Sequence, residues 1–197
     1  MPAKSSFTRD MFIDAAFKIV RTKGREKLSA RSLANELKCS TMPIYSYLRS
    51  MKRIDGELGK KAIDLLLTHQ TTTRTGNAFL DMGLGYVLFA KSERNLFRFL
   101  FAGNDRRGGQ GNAGKTLKEF AFKNLVPKMK GGLFLEGLDE QQLESILIKM
   151  WIFTHGLAFL INNNAFARDN ENYIREILTE TGLFIIQGEK QKQNLIK

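Results

Sequence analysis

The segment from residue 28 to residue 54, LSARSLANELKCSTMPIYSYLRSMKRI, constrains the fold most. Ser29, Ser40 and Ser50 each precede a short run with helical apolar spacing, so each is a candidate N-cap whose hydroxyl accepts a backbone N–H. Pro43 falls in the first turn of the second run, where a missing N–H is tolerated. Two short helices joined by a tight turn are the helix-turn-helix pattern, whose second helix enters the DNA major groove. Because many all-α proteins contain two successive short helices, the motif alone leaves DNA binding open.

The net charge of +11 is concentrated near the N-terminus. Residues 1–60 contain 13 Lys and Arg against 6 Asp and Glu, whereas residues 61–197 contain 18 against 14. The excess therefore coincides with the two-helix segment, as expected for a surface that contacts a polyanion. A basic surface that only keeps the protein soluble is the alternative.

Residues 7–23 have the spacing of an amphipathic helix, and Gly24 predicts its end. Its apolar positions share one face: Phe12, Ala15, Ala16, Ile19 and Val20. Such a helix could lie on an anionic membrane, but its outer face mixes charges of both signs. We therefore expect it to support the two-helix segment.

The remainder of the chain also has helical spacing. Further helices are predicted at 50–70, 79–90, 93–101, 115–130, 139–162 and 170–188. With the three N-terminal helices they make an all-α chain of about nine helices. Asp139 and Gln142 predict a capping box, and His69 is expected to face solvent at a helix end. Loops are predicted at 71–77 and 103–114, and the polar tail 189–197 is expected to fray.

The sequence contains no recognisable catalytic set. The two histidines are 86 positions apart, Cys39 is the only cysteine, and HExxH, GxSxG and CxxC motifs are absent. We therefore expect no enzyme activity, no metal site and no cofactor. The longest fully apolar runs are about five residues, such as 157–161, which predicts no membrane span. With no secretory signal at the N-terminus, we expect a cytoplasmic protein.

Three motifs follow one another in the first third of the chain. The first helix reads Arg-x-x-Phe-Ile-x-Ala-Ala-x-x-x-Val-x-x-x-Gly, followed by Leu28-Ser-Ala-Arg-Ser-Leu-Ala and then by Cys39-Ser-Thr-Met-Pro-Ile-Tyr-Ser-Tyr-Leu-Arg-Ser. Their order and spacing resemble the DNA-binding domain of the TetR family of bacterial transcriptional repressors over roughly residues 7–58. The resemblance implies a helix-turn-helix domain at 1–58 and an α-helical effector-binding and dimerisation domain at 59–197.

The resemblance also implies which residues contact DNA: Ser29, Arg31, Ser40, Thr41, Met42, Tyr45, Tyr47 and Lys52. The three that open the recognition helix would face base edges, whereas the tyrosines and the residues of the preceding helix would contact phosphates. Simple packing is the alternative for each tyrosine. Met51 stands where the family commonly has a phosphate-binding lysine, so either Lys52 and Arg53 supply that charge or the contact is missing. Because no Arg, Asn or Gln lies between residues 40 and 47, we expect modest base readout and larger contributions from phosphate contacts and DNA shape.

A second resemblance lies in the segment Trp151-Ile-Phe-Thr-His-Gly-Leu-Ala, which is similar to a segment of many TetR-family C-terminal domains. It implies that the last two helices pair with those of a second copy, through Gly156, Phe159, Ile174, Ile177, Leu178, Thr181 and Ile185. Candidates for an effector pocket are Phe79, Met82, Tyr86, Phe97, Phe101, Trp151 and His155, and ordinary core packing is the alternative for each. Their aromatic and thioether character favours a largely apolar effector.

The leading interpretation is a homodimeric repressor that binds a palindromic operator in double-stranded DNA and is released by a small, largely apolar ligand. Such a protein would be bacterial and associated with the nucleoid when bound to DNA. A constitutive DNA-binding protein without an effector is the first alternative. A membrane-surface protein that uses its first helix is the second.

Overall fold

A computed structural model describes residues 7–48, 52–101, 119, 123 and 135–195, without the side chains of 47, 48, 52, 53 and 193–195. Within these ranges the chain forms eight α-helices and no strand, which confirms the predicted all-α fold of about nine helices. The predicted loop at 103–114 and nearly all of the helix predicted at 115–130 lie outside the described residues. So do Ser50 and Met51.

The described residues group into two compact units. The first, residues 7–65 and 93–101, contains α1 (Arg9–Lys23), a 3-10 turn (Arg25–Lys27), α2 (Ala30–Leu37), α3 (Thr41–Leu48), most of α4 (Lys52–Thr71) and α6 (Arg94–Phe101). The second, residues 66–92 and 135–195, contains the end of α4, α5 (Ala78–Ser92), α7 (Glu140–Asn162) and α8 (Glu171–Leu195). A domain boundary at residue 58 stays a prediction, because these units describe packing and not independent folding.

The first helix forms as its sequence predicts. The hydroxyl of Thr8 accepts a hydrogen bond from the backbone N–H of Met11 at 3.3 Å, which caps the N-terminus. All five predicted apolar positions are buried. Gly24 ends the helix with φ +91°, and its N–H donates to the carbonyl of Val20 at 3.0 Å. The helix therefore packs its apolar face into the first unit, against α2, α3 and α6.

The core of the second unit lies where α5, α7 and α8 pack against one another. At Gly85 of α5 the last turn of α4 comes so close that a Cβ atom would lie 2.6 Å from the carbonyl carbon of His69 and 2.8 Å from Cα of Gln70. Only glycine fits such an approach. The ring of His69 packs edge-on against Phe89, with centroids 5.5 Å apart, and its Nδ1 is buried. The prediction that His69 faces solvent is therefore wrong.

The ends of α7 and α8 are fixed by polar side chains. The capping box of Asp139 and Gln142 is confirmed, with hydrogen bonds of 2.8 and 3.0 Å between each side chain and the other residue's backbone N–H. The α8 helix continues to Leu195, so the prediction that the chain frays from residue 189 is wrong for residues 189–195. The reason is Glu189, which is 3% exposed and accepts hydrogen bonds from Lys149 and from other side chains around it.

Among the described residues, α7 is long and apolar enough to cross a membrane by length and composition, although no fully apolar run in it is long. Of its most apolar 18-residue window, 39% is buried inside the protein. One such helix is weak evidence for a membrane span, because core helices of soluble proteins have the same composition.

Candidate nucleic-acid interface

A three-residue turn joins α2 to α3. Lys38 ends α2 in the left-handed conformation, at φ 52° and ψ 44°, and its N–H bonds back to the carbonyls of Ala34 and Asn35. The next N–H, that of Cys39, also donates to Ala34 O at 3.0 Å. These bonds satisfy the last carbonyls of α2 and redirect the chain, so that α3 begins at Thr41.

The start of α2 is capped as the sequence predicts. The hydroxyl of Ser29 accepts from the N–H of Ser32 at 3.1 Å, and the hydroxyl of Ser32 accepts from the N–H of Ser29 at 2.9 Å. Ser29 is exposed, but its hydroxyl is already engaged in this capping box. Its predicted phosphate contact would therefore be shared with the cap, whereas Arg31 beside it is an exposed cation.

The short helix α3 has one anchored side and one exposed side. Ile44 is buried in the first unit. Met42 and Tyr45, three positions apart and thus on one face of the helix, are 78% and 67% exposed. Ser40 is exposed before the first turn and Thr41 is half-buried. The side chains of Tyr47 and Lys52 lie outside those described, so their predicted roles stay predictions.

Several cations of the first unit are neutralised by nearby acids. Arg9 pairs with Glu57, Lys18 with Glu36 at 2.6 Å, Arg21 with Glu93 at 2.5 Å and Lys61 with Asp14 at 2.8 Å. Hydrogen bonding to Lys18 lowers the pKa of Glu36, and hydrogen bonding to Asp14 raises the pKa of Lys61. These pairs connect α1 to α2, α4 and the start of α6, so they hold the unit together.

A different set of cations remains unpaired. Lys27, Arg31 and Lys38 are exposed and form no ion pair with any acid in the described part of the chain. They lie at the end of the 3-10 turn, in the first turn of α2 and at the α2–α3 turn. Lys23 at the end of α1 and Lys60 of α4 are exposed and likewise form no ion pair among the described residues. The uncompensated positive charge thus includes the segment that contains the two short helices but is not confined to it.

One ion pair, missed by sequence reasoning, fixes the start of α4. Arg25 donates to both carboxylate oxygens of Asp55, from Nε at 2.7 Å and from Nη2 at 3.0 Å. Asp55 is 6% exposed. A bidentate pair of this kind is geometrically specific, so it fixes α4 against the 3-10 turn that precedes α2. Neither residue belongs to a motif, and no sequence signal could have paired them.

In the second unit, three of the predicted pocket residues come together. The hydroxyl of Tyr86 lies 2.8 Å from Nδ1 of His155, and the rings of Trp151 and His155 have centroids 6.0 Å apart. Burial raises the pKa of Tyr86 above its usual range and lowers the pKa of His155. The hydrogen bond between Tyr86 and His155 therefore connects α5 to α7.

The other predicted pocket residues are divided between the two units. Phe79 and Met82 are half-buried on α5 in the second unit. Phe97 and Phe101 belong to the first unit, where α6 packs against α1 and their ring centroids lie 5.0 Å apart. Phe97 is buried in the core of that unit, which fits the core-packing alternative, and the pocket role of both residues stays a prediction.

The predicted self-association residues also have different surroundings. Ile174 and Leu178 are buried, and a Cβ at Gly83 would lie 3.6 Å from Leu178, so this side of α8 faces α5. A side chain buried within its own subunit offers no surface to a partner, and the prediction for these two is corrected. Gly156 and Phe159 are exposed, and the remaining members are half-buried: Ile177, Thr181 and Ile185.

The structure instead reveals a larger exposed apolar surface, which we call the α7–α8 face. Its members lie on the solvent side of the two last helices: Ile148, Trp151, Ile152, Gly156, Phe159, Leu160, Leu183, Phe184 and Gly188. Phe184 is 73% exposed, and no atom approaches within 4 Å of a Cβ built at either glycine. The spacing of Ile148, Ile152 and Gly156 by four residues was the signal in the sequence that could have identified this face.

Among the residues that the structure describes, no group of three or more His, Cys, Asp or Glu side chains is arranged to hold a metal ion. No protein-family model matches the chain, and a comparison with curated proteins finds no significant match.

Proposed function

We propose that this chain is a sequence-specific DNA-binding transcriptional regulator of the TetR type, acting as a homodimeric repressor. The observation that carries the proposal is the exposed side of α3. There Met42 and Tyr45 project outward from a helix that Ile44 anchors on its other side, within the more basic part of the chain.

The chemistry of α3 suits the major groove of DNA. A groove about 12 Å wide admits one helix, and residues near the helix N-terminus contact base edges. The hydroxyls of Ser40 and Thr41 can donate to or accept from several bases, and Met42 can contact a thymine methyl group. The exposed phenol of Tyr45, one turn further on, can donate to a phosphate.

The unpaired cations support the same surface. Lys27, Arg31 and Lys38 have no acidic partner among the described residues, so binding a phosphate requires no ion pair to break first. If each contacts one phosphate, a dimer neutralises about six. The logarithm of the binding constant should then fall with the logarithm of salt concentration with a slope of about −5.

The α7–α8 face supports the homodimer. Soluble monomers rarely expose several large apolar side chains together, and a two-fold pair would cover the same face on both copies. The two exposed glycines allow close approach of helices there. Two copies would then read two half-sites about one helical turn of DNA apart.

The central experiment is selection of bound sequences from random duplex DNA. We expect a palindrome with half-sites of a few base pairs, and no enrichment would refute the proposal. Thr41→Ala should change the preferred base at one position in each half-site, whereas Tyr45→Ala should weaken binding to all sequences alike. The opposite pattern would mean that the base and phosphate roles are exchanged.

A matched pair of charge variants tests the electrostatic part. Arg31→Gln removes an unpaired cation and should reduce the salt slope by about 1 per subunit. Arg9→Gln removes the same charge from a residue that pairs with Glu57 and should leave the slope nearly unchanged. Equal effects of the two substitutions would show that only net charge matters.

Release by a ligand is the part of the proposal with least support in the fold. It rests on the family resemblance and on the half-buried side chains of Phe79 and Met82, which precede Tyr86 on α5. Titration with a panel of apolar compounds, followed by operator release, separates this proposal from a constitutive DNA-binding protein. No release by any compound would favour the constitutive alternative.

A further inference from the structure

The first turn of α3 carries the most exposed large apolar side chain in the described part of the chain, that of Met42, which is 78% exposed. We propose that Met42 is a reversible oxidation site, at which a two-electron oxidant converts the thioether to a sulfoxide and so weakens DNA binding. Hydrogen peroxide and hypochlorous acid are oxidants of this class. The effect on DNA binding rests on the proposed function, whereas the oxidation site does not.

Exposure ranks Met42 first among the methionines whose burial the structure describes. Met11, in the first turn of α1, is 43% exposed, and Met82 is half-buried on α5. Met150 is 8% exposed, and its Sδ atom faces α8, where a Cβ at Gly182 would lie 3.9 Å from it. Because the oxidant must reach the sulfur atom, Met42 should react first and Met150 last.

The position of Met42 allows its chemistry to change without unfolding the first unit. Ile44, which anchors α3, is 1% exposed, whereas Met42 contributes little to the core. A sulfoxide at Met42 should therefore leave the stability of the unit nearly unchanged, as most surface changes do. Oxidation of a buried methionine such as Met150 would instead place a polar group in an apolar core.

The reaction requires only the thioether and the oxidant. A lone pair of the sulfur attacks one oxygen of hydrogen peroxide, so that an S–O bond forms and the O–O bond breaks. The sulfur loses two electrons, and the departing hydroxide takes the proton of the transferred OH group and leaves as water. With hypochlorous acid the same transfer releases chloride and a proton. Methionine sulfoxide reductases reverse the change with electrons from a dithiol.

A sulfoxide alters what Met42 can contact in the major groove. The thioether is apolar and suits the methyl group of thymine, whereas the sulfoxide oxygen is an acceptor that requires a donor. Thymine presents its methyl group beside the O4 acceptor, so the contact would bring two acceptors together. Loss of one base contact should weaken binding about tenfold for each half-site, and a dimer would lose up to about 100-fold.

Peptide masses measured after graded exposure to hydrogen peroxide test the oxidation site. Cleavage after lysine and arginine leaves Met42 as the only methionine of peptide 39–49. All proteins carry Cys39→Ser, so that the gain of one oxygen in this peptide belongs to Met42. We expect Met42 to be oxidised before Met11 and well before Met150. Oxidation of Met11 first, or of Met150 at the same rate as Met42, would overturn the site.

Binding to the palindrome recovered from random duplex DNA tests the effect of oxidation. Each protein is compared with itself before and after peroxide, so differences in starting affinity do not enter. The dissociation constant should rise about tenfold or more and should recover after treatment with methionine sulfoxide reductase, while the melting temperature of the protein stays constant. Met42→Leu should show no rise, and Met11→Leu should show the full rise.

Different failures have different readouts. An equal rise in Met42→Leu, or a melting temperature that falls in parallel, would overturn the effect on DNA binding, as would complete oxidation of Met42 without any rise. A chain that binds no duplex before oxidation would refute the proposed function and this effect with it, whereas the peptide masses would still decide the oxidation site.

Discussion

Replacing Gly85 with alanine tests the tightest helix contact in the second unit. The new methyl group would lie 2.6 Å from the carbonyl carbon of His69 and 2.8 Å from Cα of Gln70, with the carbonyl oxygen nearer still. Because carbon atoms pack at about 3.5–4.0 Å, the last turn of α4 would have to move by roughly 1 Å. Overpacking of this kind costs about 1–3 kcal/mol, and alanine recovers about 1 kcal/mol of helix propensity. Since backbone atoms obstruct the methyl group, we expect a net loss of about 2 kcal/mol.

A matched control lies two residues earlier on the same helix. A Cβ at Gly83 would meet Leu178 at 3.6 Å, an ordinary van der Waals distance, so Gly83→Ala should gain up to about 1 kcal/mol from helix propensity. Urea unfolding followed by Trp151 fluorescence reports on this unit, and all variants are compared at one protein concentration. With a slope of about 2 kcal/mol/M, Gly85→Ala should lower the midpoint by about 1 M. A Gly85→Ala midpoint equal to that of the wild type would refute the packing described for α4 and α5.

Three further predictions follow from the polar clusters and the exposed face. Hydrogen bonding to Lys149 lowers the pKa of Glu189 from 4.5 to about 2, so the stabilising effect of its carboxylate is complete above pH 4.5 and is lost as the pH falls through about 2. Glu189→Gln should therefore lower the free energy of unfolding by on the order of 2 kcal/mol at pH 7, a value reduced because solvent screens the half-exposed lysines. A stability difference between the two proteins that does not shrink in acid-unfolding curves would contradict this. Arg25→Ala leaves the buried carboxylate of Asp55 unpaired and should cost about 3 kcal/mol by thermal unfolding, whereas Arg25→Lys should cost less; equal losses would argue against the bidentate geometry. Phe184→Glu should raise the dissociation constant of the proposed dimer at least about tenfold in sedimentation, Phe184→Leu should not, and an unchanged constant would exclude this face from the interface.

Helix positions could be predicted from sequence because each depends on neighbours within a few residues. The apolar spacing of α1, the serine before α2 and the pair of Asp139 and Gln142 all act within one or two helical turns, and all are confirmed. The close approach at Gly85 was also foreseeable, since glycine inside an otherwise apolar helix indicates either close packing or a cavity.

What sequence reasoning missed depends on residues far apart in the chain. Glu189 extends α8 because Lys149 and its neighbours, about 40 positions earlier, bind its carboxylate. The pairing of Arg25 with Asp55 and the burial of His69 against α5 likewise arise only once the helices pack. For the candidate DNA interface, the exposed and buried sides of α3 could be inferred from the spacing of its apolar residues. The sequence could not show which cations form ion pairs with acids and which remain unpaired.

The left-handed backbone of Lys38 places two opposed demands on one position. A residue with a Cβ atom in this conformation costs on the order of 1 kcal/mol relative to glycine, so Lys38→Gly should stabilise the first unit. The same substitution removes one of the three unpaired cations around the two short helices. Selection for thermal stability alone would therefore enrich glycine at position 38, whereas selection for the proposed DNA binding would retain lysine in spite of its backbone.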